Sequence, residues 1–325
     1  MLNTTTAETP AGYPFAWQAA YGLNDWGRIL ATIVVVTVVS FLANLPLVAL
    51  LASSSPIRER GLDVNNFTPA ALGVDPTLFL ALLLLPFVFG LLTLWYCVKI
   101  IHQRDPKTLV IGMAGRFRWK RAWLSFFVWM LLNIVAEAFC YWLNPDGYSF
   151  VFNFWAFAKT FLVVVFMIPL QIAFEELMMR GYVLQQTTHF TRQPWLGLLV
   201  STFIFAGLHY QNPEVQQFGI LATAPYYLGV GLFLGLLTIL DDGLELALGI
   251  HLATNVFGSL FVNFKGSALP TPSLFQASDI NLPIMTTLFV LQAFVFFLLF
   301  RRRNTGGMES KMKWTMKSIS LKTPN

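Results

Sequence analysis

Charge is scarce in this chain. Lys and Arg number 21 and Asp and Glu 16 among 325 residues, 11% of the total, where an average soluble domain carries about 25%. A soluble protein of this length needs a polar skin around its core, so the shortage argues against a soluble enzyme. Cysteine is scarcer still. Cys97 and Cys140 both sit inside apolar runs, which excludes a disulfide-stapled secreted domain and reads them as small packed hydrophobes. Residues 1–27 lack the basic start of a cleaved signal peptide. The chain also has no His-Glu-x-x-His sequence and no serine in a strand-turn nucleophile setting.

What fills the space is apolar: 56% of the residues are hydrophobic. Eight candidate spans run near 29–52, 77–101, 122–142, 156–184, 196–212, 223–240, 243–264 and 280–300, each judged against the roughly 20 residues a membrane crossing needs. The expected fold is all-α, a polytopic integral membrane protein of about eight transmembrane helices with the site inside the helical core. Three parts are expected: an N-terminal interfacial segment over 1–27 with Trp17, Tyr21 and Trp26, a transmembrane domain over 28–300, and a basic cytoplasmic tail over 301–325. The loop between the second and third spans carries Arg104, Lys107, Arg116, Arg118, Lys120 and Arg121 against Asp105 alone. That bias puts the loop in the cytoplasm. Eight spans then bring the tail, with seven basic residues against Glu309, to the same side. Both termini are therefore expected inside, in contact with membrane lipids. A basic tail with no recognisable fold is weak evidence for nucleic acid, and no nucleic-acid partner is expected.

Ionisable groups at bilayer depth are costly and point to function. Three clusters qualify: Glu175-Glu176-x-x-x-Arg180, Phe205-x-x-x-His209 and His251-x-x-x-Asn255. Glu176 and Arg180 can pair one turn apart, as can His251 and Asn255 share a face. Glu175 then points elsewhere and needs another partner. The other two histidines, His102 and His189, fall in loops and read as ordinary polar surface. Counted from the expected cytoplasmic ends of their helices, all three clusters lie about 12–20 Å deep, so they can meet in one chamber. Ala206, Gly207, Gly229, Gly231 and Gly235 nearby read as close helix packing, compatible with room for an extended substrate.

A carboxylate and two imidazoles make a hydrolytic set. The carboxylate can abstract a proton from water. The imidazoles can hold that water or coordinate a divalent metal that activates it. An amide and an imidazole can stabilise the oxyanion of an attacked carbonyl. Chemistry by activated water on an amide is the economical proposal.

In order, spacing and depth, the three motifs resemble those of the CAAX protease and bacteriocin-processing family of intramembrane metalloproteases, also called the Abi family. The resemblance covers roughly 157–264 and includes Leu177 and Arg180-Gly181. It implies a glutamate-dependent endopeptidase in which Glu175 activates water with His209, and His251 and Asn255 stabilise the oxyanion or position the substrate. Glu176, Arg180 and Phe205 would support the site. If a metal is bound, zinc is the expected ion and Glu175, His209 and His251 the expected ligands. The implied substrate is a peptide or lipidated protein, prenylated, signal-peptide-like or a membrane-protein precursor. The expected location is a prokaryotic cell membrane. The residues alone leave two other classes open: a non-catalytic scaffold or bacteriocin-immunity protein, and a proton-coupled transporter that uses Glu175 and the histidines as a relay.

Overall fold

In the computed structural model, residues 14–61, 69–278 and 280–302 are described. Most of the basic tail, from 303 on, lies outside them. The first described element is a 3-10 turn, Phe15–Tyr21, whose Phe15 and Ala19 are buried. Helix α1 (Trp26–Leu42) starts at Asp25, which caps the backbone N–H of Arg28. It breaks before Pro46, and α2 (Leu45–Ser53) carries the crossing on. A short α3 (Ser55–Arg60) precedes α4 (Pro76–Ile100), which opens on Pro76 under an Asp75 cap.

Helix α5 (Trp119–Leu143) leads to α6 (Phe154–Glu176). Without a break, α6 widens into a π-helical stretch, Leu177–Leu184, and continues as α7 (Gln185–Thr191), a rod of 38 residues. Then follow α8 (Pro194–Leu208), α9 (Pro213–Phe218), α10 (Ile220–Asp241), α11 (Glu245–Leu260) and α12 (Leu282–Arg302).

Among the described residues six helices, not eight, are long and apolar enough to cross a membrane. The expected spans at 196–212 and 243–264 are the two that fail. They become α8 and α11, of 15 and 16 residues, which rise only about 22–24 Å against a hydrocarbon core of about 30 Å. Helix α11 is apolar for a different reason: it packs on α5, α6 and α10 and buries Leu246, Ala247, Ile250 and Ala253 inside the protein. Continuous hydropathy does not separate a helix wrapped in protein from one wrapped in lipid.

The all-α expectation holds apart from nine residues. Strands β1 (Tyr148–Phe150), β2 (Val262–Phe264) and β3 (Phe275–Ala277) form a small sheet in the order β1-β3-β2. β1 runs antiparallel to β3 with Tyr148 opposite Ala277, and β2 runs parallel with Val262 opposite Phe275. This pairing organises the segment after α11, where Asn263 Nδ2 donates to Leu269 O at 2.8 Å and Thr271 Oγ1 at 2.6 Å.

The α5–α11 contact fixes the position of the third motif, and it depends on Gly249. A Cβ there would lie 2.0 Å from Ser125 Oγ and 2.3 Å from the Ala122 carbonyl. Helix propensity alone would make Gly249→Ala stabilising by about 1 kcal/mol. Because one obstacle is backbone, we expect the opposite sign, a loss of roughly 1–3 kcal/mol from overpacking. Thermal unfolding of the purified protein in detergent checks it: a raised midpoint would show that the helices can separate freely.

The 102–121 loop does more than carry charge. Arg118 makes a forked pair with Glu245, Nε to Oε1 at 3.0 Å and Nη2 to Oε2 at 2.6 Å, and reaches Asp241 Oδ2 at 2.8 Å. Arg121 pairs with Asp241. Arg104 is buried and donates from Nη1 to Gln185 Oε1 at 3.0 Å, and burial pushes its guanidinium down to about 10. Three cations of the loop thus hold α5 and α7 to their neighbours.

His102 is not surface. It is fully buried, with Nδ1 donating to the Leu23 carbonyl at 2.8 Å and Nε2 facing Thr32 Oγ1 at 3.1 Å and Tyr182 Oη at 3.0 Å. A neutral ring satisfies all three contacts, and burial pushes its pKa below 6.5. The unfolded chain then binds the proton more readily, so stability is fully present above about pH 6.5 and is lost as pH falls through the lower folded value. We expect the detergent-solubilised protein to lose stability between pH 7.5 and 5.5, and His102→Gln to flatten that slope. An identical slope in the variant would assign it to other groups.

Candidate active site

The site begins with one turn of α6. Gln171 and Glu175 are four residues apart, and Gln171 Nε2 donates to Glu175 Oε1 at 2.9 Å. Glu176 points about 100° away and meets Arg180 in the π-helical stretch, Nη1 to Oε1 at 2.9 Å, with both side chains fully buried. Local widening of this kind recurs at functional sites. Here it carries Arg180 to a position where Nη2 also donates to the Gly231 carbonyl at 3.3 Å and the guanidinium lies 4.7 Å from the Phe205 ring centroid. Gly231 lets α10 approach α8 closely: a Cβ would meet Thr202 and Phe205 at 3.2 and 3.3 Å.

Helix α11 brings the third motif alongside. His251 Nδ1 lies 2.8 Å from Glu176 Oε1, and its Nε2 lies 3.6 Å from Glu175 Oε2. One imidazole therefore touches both neighbouring carboxylates. The Arg180–Glu176 pair keeps Glu176 an acceptor, so His251 Nδ1 donates to it, and the opposite ring nitrogen, Nε2, faces Glu175 Oε2. Asn255, one turn on, donates from Nδ2 to Gln171 Oε1 at 3.4 Å. Gln171 thus links Asn255 to Glu175.

The second motif arrives from α8. His209 sits just past the helix end with Nδ1 donating to the Phe205 carbonyl at 2.7 Å, which leaves Nε2 as its open nitrogen. Its ring lies against Phe205, with centroids 4.4 Å apart, and Phe205 in turn stands edge-on to His251 at 6.3 Å. Glu175, Glu176, Arg180, His251 and Asn255 thus form one connected network. Among the described residues His209 meets it through the Phe205 ring, with no hydrogen bond or ion pair to Glu175.

Both histidines have Nδ1 engaged by an acceptor and Nε2 turned away from it, the arrangement a metal ligand would need. Their positions do not follow: among the described residues no three His, Cys, Asp or Glu side chains converge to hold an ion. The expected set of Glu175, His209 and His251 does not fit a metal as the side chains stand. Composition could not show this, because convergence depends on where α8 ends relative to α6 and α11.

Gln171 escaped the sequence reading, although an amide in the middle of an apolar span one turn before Glu175 was a usable signal. Tyr227, which packs against His209 at 4.5 Å, had none.

Six membrane-length helices are consistent with a polytopic membrane protein, and the buried Glu–Arg–His network is consistent with a protease-like site. Residues 154–257, which include all three motifs, match the family model described as type II CAAX prenyl endopeptidase Rce1-like. An uncharacterized protein YyaK of Bacillus subtilis (strain 168) is 30% identical over 225 residues, covering 69% of this chain and 74% of that protein. The chain belongs to the Rce1-like CAAX protease family. Membership supports a hydrolase role, and the bacterial relative and apolar helices support a bacterial membrane protein. No solved structure matches the chain.

Proposed function

We propose that this protein is an intramembrane endopeptidase that hydrolyses a peptide bond with water activated by Glu175. The observation that supports it best is the division of labour between neighbouring carboxylates. Glu176 Oε1 is held by both Arg180 and His251, while Glu175 has no arginine or lysine partner among the described residues and turns Oε2 toward His251 Nε2; Oε2 of both carboxylates lacks a hydrogen-bond partner there. A structural pair would neutralise itself. The second carboxylate, oriented by Gln171, is left over for chemistry.

In this reading, Glu175 Oε2 takes a proton from water as the water oxygen bonds to the scissile carbonyl carbon. His251 Nε2 steadies the same water or the proton beside it. The free N–H of the Asn255 amide donates to the carbonyl oxygen as it becomes negative. The C–N bond then breaks, and the proton held by Glu175 passes to the leaving nitrogen. His209, with Nε2 open, faces the substrate from the Phe205 side. The zinc that the family resemblance implies enters no step. With both termini in the cytoplasm, as the loop and tail charges favour, substrates enter from that side. The class that fits is a membrane-associated or lipidated peptide.

The test compares protein termini by mass spectrometry in host membranes carrying either this protein or Glu175→Ala at equal abundance. A defined set of precursors left uncut only with Glu175→Ala supports proteolysis and names the substrate class. Matching termini with the cellular phenotype intact would favour a scaffold or immunity role instead.

A further inference from the structure

We infer that Tyr227, clamped by Asn212 and Glu214, is a positioning residue that fixes the plane of the His209 imidazole. The inference rests on His209 acting in the proposed hydrolysis. None of the three residues belongs to the motifs, and they come from two separate parts of the chain: the α8–α10 connection and the second turn of α10.

His209 is placed where an imidazole is hardest to hold. It follows the last residue of α8, so no further helical turn packs over it. Its Nδ1 is bound to the Phe205 carbonyl at 2.7 Å, which fixes one edge but leaves the ring free to tilt about that contact. Two aromatic faces remove that freedom. Phe205 lies 4.4 Å away at an interplanar angle of 47°, and Tyr227 lies 4.5 Å away at 32°.

Tyr227 is itself tied down at its far end. Its hydroxyl donates to Glu214 Oε1 and accepts from Asn212 Nδ2 at 3.2 Å, and the same Nδ2 reaches Glu214 Oε1 at 3.3 Å. The three groups close a ring of hydrogen bonds in which the phenol is both donor and acceptor. Asn212 and Glu214 lie three and five residues after His209. The segment that leaves the imidazole therefore turns back and grips the ring that supports it. The reversal uses Gly219, whose φ of +86° suits glycine, to start α10 and bring Tyr227 into reach. A latch that merely joined α9 to α10 would have no need to place the ring of Tyr227 on His209.

The chain has four histidines, so full-length protein labelled with [15N]histidine in lipid nanodiscs gives a readable ring spectrum, with each signal assigned by a single His→Gln replacement. Tyr227→Leu removes the aromatic face. It is expected to displace the His209 ring-proton signal and mix its tautomers while the His251 signals stay in place. On a precursor identified by the termini comparison, it is expected to lower kcat roughly 10-fold with KM nearly unchanged. Tyr227→Phe keeps the face, loses the clamp and falls between the two. If Tyr227→Leu does not fold, Glu214→Ala opens the clamp from the loop and is read in the same way. Unchanged His209 signals overturn the inference, as does an unchanged kcat where Glu175→Gln abolishes cleavage. If the His209 signals move but wild type and Glu175→Gln cut alike, the bracing stands and the hydrolytic reading fails.

Discussion

Glu176→Ala is expected to destabilise the protein by about 3–5 kcal/mol, the cost of stranding a buried charge. Glu176 and Arg180 are both fully buried, and their contact at 2.9 Å is the one ion pair of the guanidinium among the described residues. With Glu176 gone, Arg180 retains the Gly231 carbonyl at 3.3 Å and the Phe205 ring, and its Nε has no partner among the described residues. His251 Nδ1 loses its acceptor at the same time. The double variant Glu176→Leu, Arg180→Met removes both charges and is expected to recover much of that loss, since a well-packed apolar pair often matches a buried ion pair. It is not expected to restore cleavage, because His251 still has nothing to fix its tautomer. Unfolding of purified protein by detergent titration, extrapolated linearly, separates the cases. A single-variant loss below about 1 kcal/mol would mean that water reaches the pair.

The pair was legible in the sequence because its signal is local. Two residues four apart on a helix meet whatever surrounds them, and a charge in an apolar run announces itself. Tertiary convergence was partly legible too: the motifs lie at a common depth, and Glu176 does meet His251 seventy-five residues on. What sequence could not supply was the choice between imidazoles. The resemblance pairs Glu175 with His209, but the ring beside Glu175 is that of His251, because α11 lies along α6 while α8 ends near α10. The same limit applies to the 102–121 loop. Its arginines read as free charge, yet Arg118 finds Glu245 across 127 positions. His102 reads as surface until Thr32, Leu23 and Tyr182 close over it. These misses concern partners far away in the chain, whereas Gln171, four residues from Glu175, was missed despite a local signal.

Glu175→Gln is expected to lower the cleavage rate by about 10²–10⁴-fold, the range for loss of a general acid–base group, while changing stability by less than about 1 kcal/mol. The replacement keeps the shape of the side chain. Its carbonyl can still accept from Gln171 Nε2, the contact made at 2.9 Å by Glu175 Oε1, and its amide can donate toward His251 Nε2. What it cannot do is take a proton from water. Neighbouring glutamates thus predict opposite phenotypes: Glu176→Ala loses the fold's internal compensation, and Glu175→Gln loses the chemistry with the fold intact. Gln171→Leu should lie between, since it leaves the carboxylate ionisable but removes the donor that aims it and frees Asn255 from its link. Kinetics on purified protein in nanodiscs, with a precursor identified by its uncut terminus, decide the matter. A Glu175→Gln enzyme that cuts at the wild-type rate would remove Glu175 from the reaction, and with it the reason for one imidazole to face both carboxylates.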